Sequence, residues 1–255
     1  WAASSLAGIP LIGLLIERFG WRSPFFVLGS LGIIGCMVLM AVMPRERTHT
    51  ASAAKAIELR KAWRMLAREK SALGALGFAL CICGANDNLF VIYGVWLEKS
   101  FGLTVVALGL ATTVIGAAEL AGEGLIAALA DRLGLKQSVI LGAVLSGLSY
   151  VALPILNQSL PLALTGLFLT FLTVEFTIVA SISFFTEVLP DARGTMMAGY
   201  LAAASIGRVC GAMLAGPLWL LGGLPVIGAV SAVITGLGLV FLLWGLHNRE
   251  PALDG

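Results

Sequence analysis

Long apolar runs separated by short polar stretches set the pattern of this chain. The runs cover roughly residues 1–16, 23–43, 71–96, 103–129, 137–156, 160–185, 195–221 and 225–246. A membrane-crossing helix needs about 20 mostly apolar residues. The period-two alternation of a membrane barrel is absent. Helices are the other structure whose backbone is satisfied in lipid. The pattern therefore predicts an all-α membrane protein with eight transmembrane helices. The first run starts abruptly at Trp1, with no charged n-region before it. It does not read as a signal peptide, and it predicts a chain cut inside a helix.

Composition agrees with this reading. Hydrophobic residues make up 59% of the 255 and charged residues 12%, against about 25% charge in an average soluble domain. Neither a soluble globule nor a disordered chain fits these values. The net charge of +2 excludes nucleic acid as an expected partner. The four cysteines, Cys36, Cys81, Cys83 and Cys210, all lie in apolar runs, where they read as small buried residues. No cofactor and no metal are expected.

Lys and Arg set the expected orientation. Loop 44–70 holds Arg45, Arg47, Lys55, Arg60, Lys61, Arg64, Arg68 and Lys70, and Arg132, Lys136, Arg193 and Arg249 lie on the same side. The opposite side holds Arg18, Arg22 and Lys99. The richer side is expected to be cytoplasmic, with the C-terminus there, in a multi-pass plasma-membrane protein. Within loop 44–70, Ala56, Leu59, Trp63 and Leu66 recur at helical spacing between basic residues. A helix on the anionic inner leaflet and a solvated linker both fit, and either makes the loop a boundary.

Five ionisable residues fall inside spans: Asp87, Glu119, Glu123, Glu175 and Arg208. Each costs about 2.5–3.5 kcal/mol at the bilayer centre on insertion scales, so such residues mark pathways, proton relays or partner pairs. Glu119 and Glu123 share a helix face with Thr112. That stripe is expected to line a cavity, and two close carboxylates suit a proton carrier. Glu123 also lies near enough to Asp131 to join a network at that helix end. Asn86-Asp87-Asn88 points three ways from one helix. It reads as a local unwinding with a substrate or gate role, or as a cluster at the outer helix end. Glu175 lies opposite a stripe of Thr170, Thr173, Thr177 and Ser181; one face looks into a cavity and the other packs. Arg208 stays charged under all cellular conditions and needs an anion. Glu175 is the favoured partner, with Glu119, a substrate carboxylate or an acid elsewhere as alternatives.

The two ends of the chain resemble each other. Ala7-Gly8-Ile9-Pro10-Leu11 matches Ala215-Gly216-Pro217-Leu218, and each leads through a short turn and one apolar helix to an Arg-Glu pair, Arg45-Glu46 or Arg249-Glu250. The offset is 207 residues at the prolines and 204 at the glutamates. That is about six membrane helices, and six-helix repeats joined by a long loop are a transporter architecture. Ala130-Asp131-Arg132-Leu133-Gly134-Leu135-Lys136 then resembles the cytoplasmic signature loop of the major facilitator superfamily. Asp131, Arg132, Gly134 and Lys136 fit that signature, whereas Ala127 replaces its Gly and Leu135 one of its bases. Pro190-Asp191-Ala192-Arg193-Gly194-Thr195 resembles the entry to the family's penultimate helix. Ile9 interrupts the Gly-Pro pair of the antiporter motif.

The resemblance covers the whole chain. It implies helices five to twelve of a twelve-helix transporter that is a monomer when full length. The expected domains are 1–43, the last two helices of a first bundle; 44–70, the inter-bundle loop; 71–247, a complete second bundle; and 248–255, a cytoplasmic tail. It also implies alternating-access transport of a small-molecule substrate, in the efflux direction of similar bacterial members, and the buried carboxylates point to protons as the driving ion. Proton symport into the cell and a non-transporting receptor on the same fold are the alternatives. An enzyme is not expected. No span contains His, and no H-E-x-x-H, G-x-S-x-G or Walker A motif is present. Gly147-Leu148-Ser149-Tyr150 mimics a serine site but lacks a His base in the membrane.

Overall fold

The computed structural model describes residues 4–43 and 53–247, with side chains from Arg60 onward in the second stretch. Expectations for Trp1, residues 44–52, the side chains of Ala56 and Leu59, and the tail 248–255 lie outside the described residues. All regular structure among the described residues is helical. A π-helical turn, Ser4–Gly8, leads into α1 (Ile9–Phe19), followed by α2 (Ser23–Val42) and α3 (Ala53–Arg68). Then come α4 (Lys70–Phe90), α5 (Tyr93–Phe101), α6 (Val105–Leu133), α7 (Leu135–Ala152), α8 (Leu160–Phe185) and α9 (Arg193–Leu246). Six described helical runs are long and apolar enough to cross a membrane.

Local chemistry explains the boundaries. Thr104 caps α6 by accepting from the Ala107 N–H at 3.3 Å, a favoured N-cap arrangement. α6 stops at Gly134, whose φ of +77° only glycine adopts easily, and α7 starts at once. α9 is broken at Gly222 and Gly223, and Gly223 has φ +63°. The expected spans 195–221 and 225–246 meet there. The chain's opening has the same layout: α1, a glycine turn at Gly20, and α2 with Pro24 in its first turn. The second half of α9 likewise carries Pro225 just past its break.

Glycines bring α4 and α9 into backbone contact. A Cβ on Gly207 would strike the Leu80 carbonyl, and one on Gly211 the Gly84 carbonyl. These pairs advance together, so α4 and residues 193–221 run parallel. On another side of α4, Gly74 meets Gly245 and Cys81 meets Gly238, and Asn88 bonds Ser231. These run in opposite senses, so residues 224–246 are antiparallel to α4. Small residues allow such close approach in membranes. α7 and α8 are antiparallel as well, with Gly142 against Thr177 and Leu153 against Gly166. The π turn and α1 pack antiparallel to α6, with Leu6 at Gly116 and Pro10 at Gly109. α2, by contrast, is exposed along almost its whole length.

Two apolar clusters fill the interior. One gathers Phe78, Ile126, Phe184, Phe185, Met196 and Tyr200, and α3 adds Leu66 to it. The other gathers Trp96, Ile115, Tyr150, Leu167, Phe171 and Ile227. Along α6 the changeover falls between Ala118 and Ile126, along α8 between Val174 and Phe176, and along α9 between Ala204 and Ala215. Glu119, Glu123, Glu175 and Arg208 all stand in that changeover.

Candidate functional site

The mid-span charges form two groups. In the first, Arg208 Nη1 donates to Asp87 Oδ2 at 3.1 Å, joining α9 to α4. Asp87 lies in the last turn of α4, within the 32-residue apolar run Lys70–Phe101 that continues through α5. The Asp87 side chain is 15% exposed and that of Arg208 36%, so the pair is shielded but reachable. This corrects the favoured partnership of Arg208 with Glu175: the ion pair is made with Asp87. Depth suggested the wrong acid because Glu175 and Asp87 are both mid-span, and only the helix order distinguishes them. The glycine contacts of Gly207 and Gly211 draw α9 onto α4, which puts Arg208 beside Asp87.

Of the neighbours of Asp87, Asn86 reaches its carboxyl with its side chain, while Asn88 points elsewhere. Asn88 is buried and donates through Nδ2 to Ser231 Oγ at 3.0 Å, and Ser231 Oγ donates to the Ala85 carbonyl at 3.1 Å. Asn86 is half-buried. The helix does not unwind at the triplet. It tightens just beyond, where Ile92 N–H bonds the Leu89 carbonyl at 3.0 Å between α4 and α5. Ser231 had no signal in the sequence beyond being, with Thr235, one of two hydroxyls in an apolar run.

The second group joins α6 to α8. Gly122 sits between Glu119 and Glu123, and a Cβ there would lie 2.9 Å from the Leu172 carbonyl and 3.1 Å from Glu175 Cβ. Glu175 therefore enters the seam at the turn that carries Glu119 and Glu123, within electrostatic reach of both and of Arg208. Glu119 is buried, while Glu123 and Glu175 are half-buried. The opposite face of α8 packs. Thr170, Thr177 and Ser181 are buried. Thr177 meets Ser146 at 3.4 Å, Thr173 meets Ser149 at 3.4 Å, and Ser181 meets the Tyr200 hydroxyl at 2.9 Å. Ser149 is thus part of helix packing. Thr112 is also buried and bonds the Tyr93 hydroxyl at 2.8 Å, which ties α6 to α5.

The signature-loop residues occupy one end of the bundle. Asp131 and Arg132 are exposed in the last turn of α6, Gly134 forms the corner, and Lys136 is half-buried in the first turn of α7.

Comparison with known proteins decides the family. The Major Facilitator Superfamily model matches residues 1–92 and 76–255, which together cover the chain. The chain belongs to the Major Facilitator Superfamily. Among its relatives in this superfamily is the MFS-type transporter YceJ of Bacillus subtilis, 33% identical over 86% of this chain and 55% of the relative. The putative transporter YgaY of Escherichia coli is 26% identical over 94% of this chain and 61% of its own length. A protein named MFS-type efflux pump from Mycolicibacterium smegmatis is 26% identical over 78% of this chain and 47% of its own. The chain spans about half to three-fifths of the length of these relatives. Superfamily membership and the apolar helices make it a multi-pass membrane protein.

Proposed function

We propose that the intact protein is a secondary active transporter that moves a small solute by alternating access, driven by protons and in the efflux direction. The observation that supports this most is the mid-span ion pair Asp87–Arg208 beside three carboxylates on the adjoining seam. Apolar residues packed in place of a buried ion pair are often as stable or more so, which favours a working role over a structural one. Protonation of Asp87 removes the charge that holds Arg208 and frees α9 to shift along α4. Glu119, Glu123 and Glu175 offer further proton-binding oxygens at the same depth. Efflux rests on the likeness to the mycobacterial pump.

In this reading the chain crosses the membrane eight times. Residues 4–19 make one crossing, and the break at Gly222 and Gly223 divides α9 into two. Residues 1–43 close a first bundle, 44–70 link the bundles, 71–247 form the second bundle and 248–255 a tail. The Lys- and Arg-rich side, with the C-terminus, faces the cytoplasm of a bacterial inner membrane, and the working unit is a monomer. Asp131, Arg132, Gly134 and Lys136 form a cytoplasmic gate.

The test uses the intact protein in proteoliposomes. Asp87→Asn should abolish accumulation driven by a pH gradient while leaving counterflow exchange at equal pH. Gradient-driven accumulation by Asp87→Asn at the parental rate would reject the pair as the coupling element.

A further inference from the structure

Outside these seams, α4 and α9 enclose a groove at the end of the bundle where α4 begins and α9 finishes. It has a volume of about 370 Å³ and is lined by Lys70, Val240, Leu243, Trp244 and His247. The helix spacing of 240, 243, 244 and 247 puts these four on one face of α9. Val240 is 63% exposed, Leu243 51% and Trp244 50%, and Lys70 and His247 are exposed beside them. The face is therefore apolar along its length and carries its polar groups at the tip. An indole at the boundary is typical of the membrane interface.

Lys70 is held there by backbone packing. A Cβ on Gly245 would lie 3.1 Å from the Lys70 carbonyl, and one on Gly74 would lie 2.6 Å from the Phe241 carbonyl. No ion pair engages Lys70 among the described residues. The neighbouring acid, Glu69, already accepts from Ser71 Oγ at 2.9 Å. From Arg60 to Lys70 the described side chains include five basic residues, Arg60, Lys61, Arg64, Arg68 and Lys70, against Glu69. The field at this end is positive, which favours an anion at the Lys70 tip.

We propose that this groove binds an anionic phospholipid. Its phosphate sits against the Lys70 ammonium and a His247 N–H, with the Trp244 indole at the glycerol level. One acyl chain lies along Leu243 and Val240. The site needs the protein to be in a membrane but does not depend on transport. It would tie the α4–α9 packing to the charge of the surrounding lipid.

The experiment reads Trp244 fluorescence from the intact chain in phosphatidylcholine nanodiscs. The lipid is doped with phosphatidylglycerol or phosphatidylcholine brominated on the acyl chains. Subtracting the Trp244→Phe protein isolates the signal of this residue. Brominated phosphatidylglycerol should quench it at a lower mole fraction than brominated phosphatidylcholine. Lys70→Gln should weaken the phosphatidylglycerol response about five-fold, the share of one basic residue near an anionic surface. Lys70→Gln with His247→Gln should erase the preference. In the unaltered chain, rising salt should weaken quenching by phosphatidylglycerol and leave that by phosphatidylcholine unchanged. Equal quenching by both lipids, a preference that survives the double substitution, an absence of salt dependence, or full relief by added inorganic phosphate would each overturn the proposal.

Discussion

The α4–α9 seam and the α6–α8 seam solve one problem in different ways. Both let two helices approach at glycines, and both carry ionisable groups at mid-span. In the α4–α9 seam the charges are opposite and meet at 3.1 Å, so each side chain serves as the other's solvent. In the α6–α8 seam Glu119, Glu123 and Glu175 are alike in sign and are gathered at the close approach of Gly122 to α8. The first seam is held by glycine backbone contacts and by its opposite charges. The second is held by backbone fit and by the hydroxyls on the far face of α8.

Substitutions should separate the two seams, and the largest effect is expected from the backbone contact itself. Gly207→Val forces a side chain into the Leu80 carbonyl, and rigid backbone cannot yield as a side chain does. A loss above about 4 kcal/mol is expected, read as failure to run as a single species in detergent. Gly124→Val, with nothing within 4 Å of its Cβ, should run as the parent does.

Removing one charge ranks next. Arg208→Ala strands Asp87 and should destabilise by about 3 kcal/mol, at the lower end for buried pairs because Arg208 is partly exposed. Asp87→Asn should then restore much of that loss. A double-mutant cycle on thermal unfolding measures the coupling, and additive losses would show that the contact contributes nothing.

The packed face of α8 should respond more weakly. Thr177→Val removes the contact with Ser146 and should cost about 1 kcal/mol, measured in the same unfolding assay. The smallest effect on stability belongs to Glu175→Gln. It relieves repulsion among three acids, so unfolding should shift by at most about 0.5 kcal/mol, toward greater stability. In proteoliposomes the same change should still reduce gradient-driven accumulation. A Glu175→Gln protein that is strongly destabilised would mean that this carboxylate anchors the seam as Asp87 anchors the other.

The spans were legible in the sequence because hydropathy reports whether a segment suits lipid. The run 160–185 coincides with α8, and the two runs meeting near 223 match the break in α9. The split of Asn88 from Asp87 follows from helical geometry, but the side-chain hydrogen bond from Asn86 to Asp87 did not show in the three-way reading of the triplet. Partnership was not legible. Depth and face angle follow from residue number, but which helix lies opposite depends on packing across more than a hundred residues of separation. Arg208 was therefore matched to the acid at similar depth rather than to the one on the helix its own glycines select. The same gap left the two faces of α8 undecided. Gly142 and Ser146 on α7 mark the threonine side as the packed one, and neither can be aligned with α8 before the fold is known.

The two-residue joint at Gly222 and Gly223 bears on how the protein is made. The segments it joins are antiparallel, and no hydrophilic loop separates them. In the eight-crossing reading, residues 193–246 can therefore enter the membrane as one hairpin, with the backbone of both legs satisfied within each leg. The Arg208 charge crosses within the first leg, and Asp87 has by then been synthesised and is available to receive it. The order of synthesis thus supplies the counter-charge before the charge that needs it.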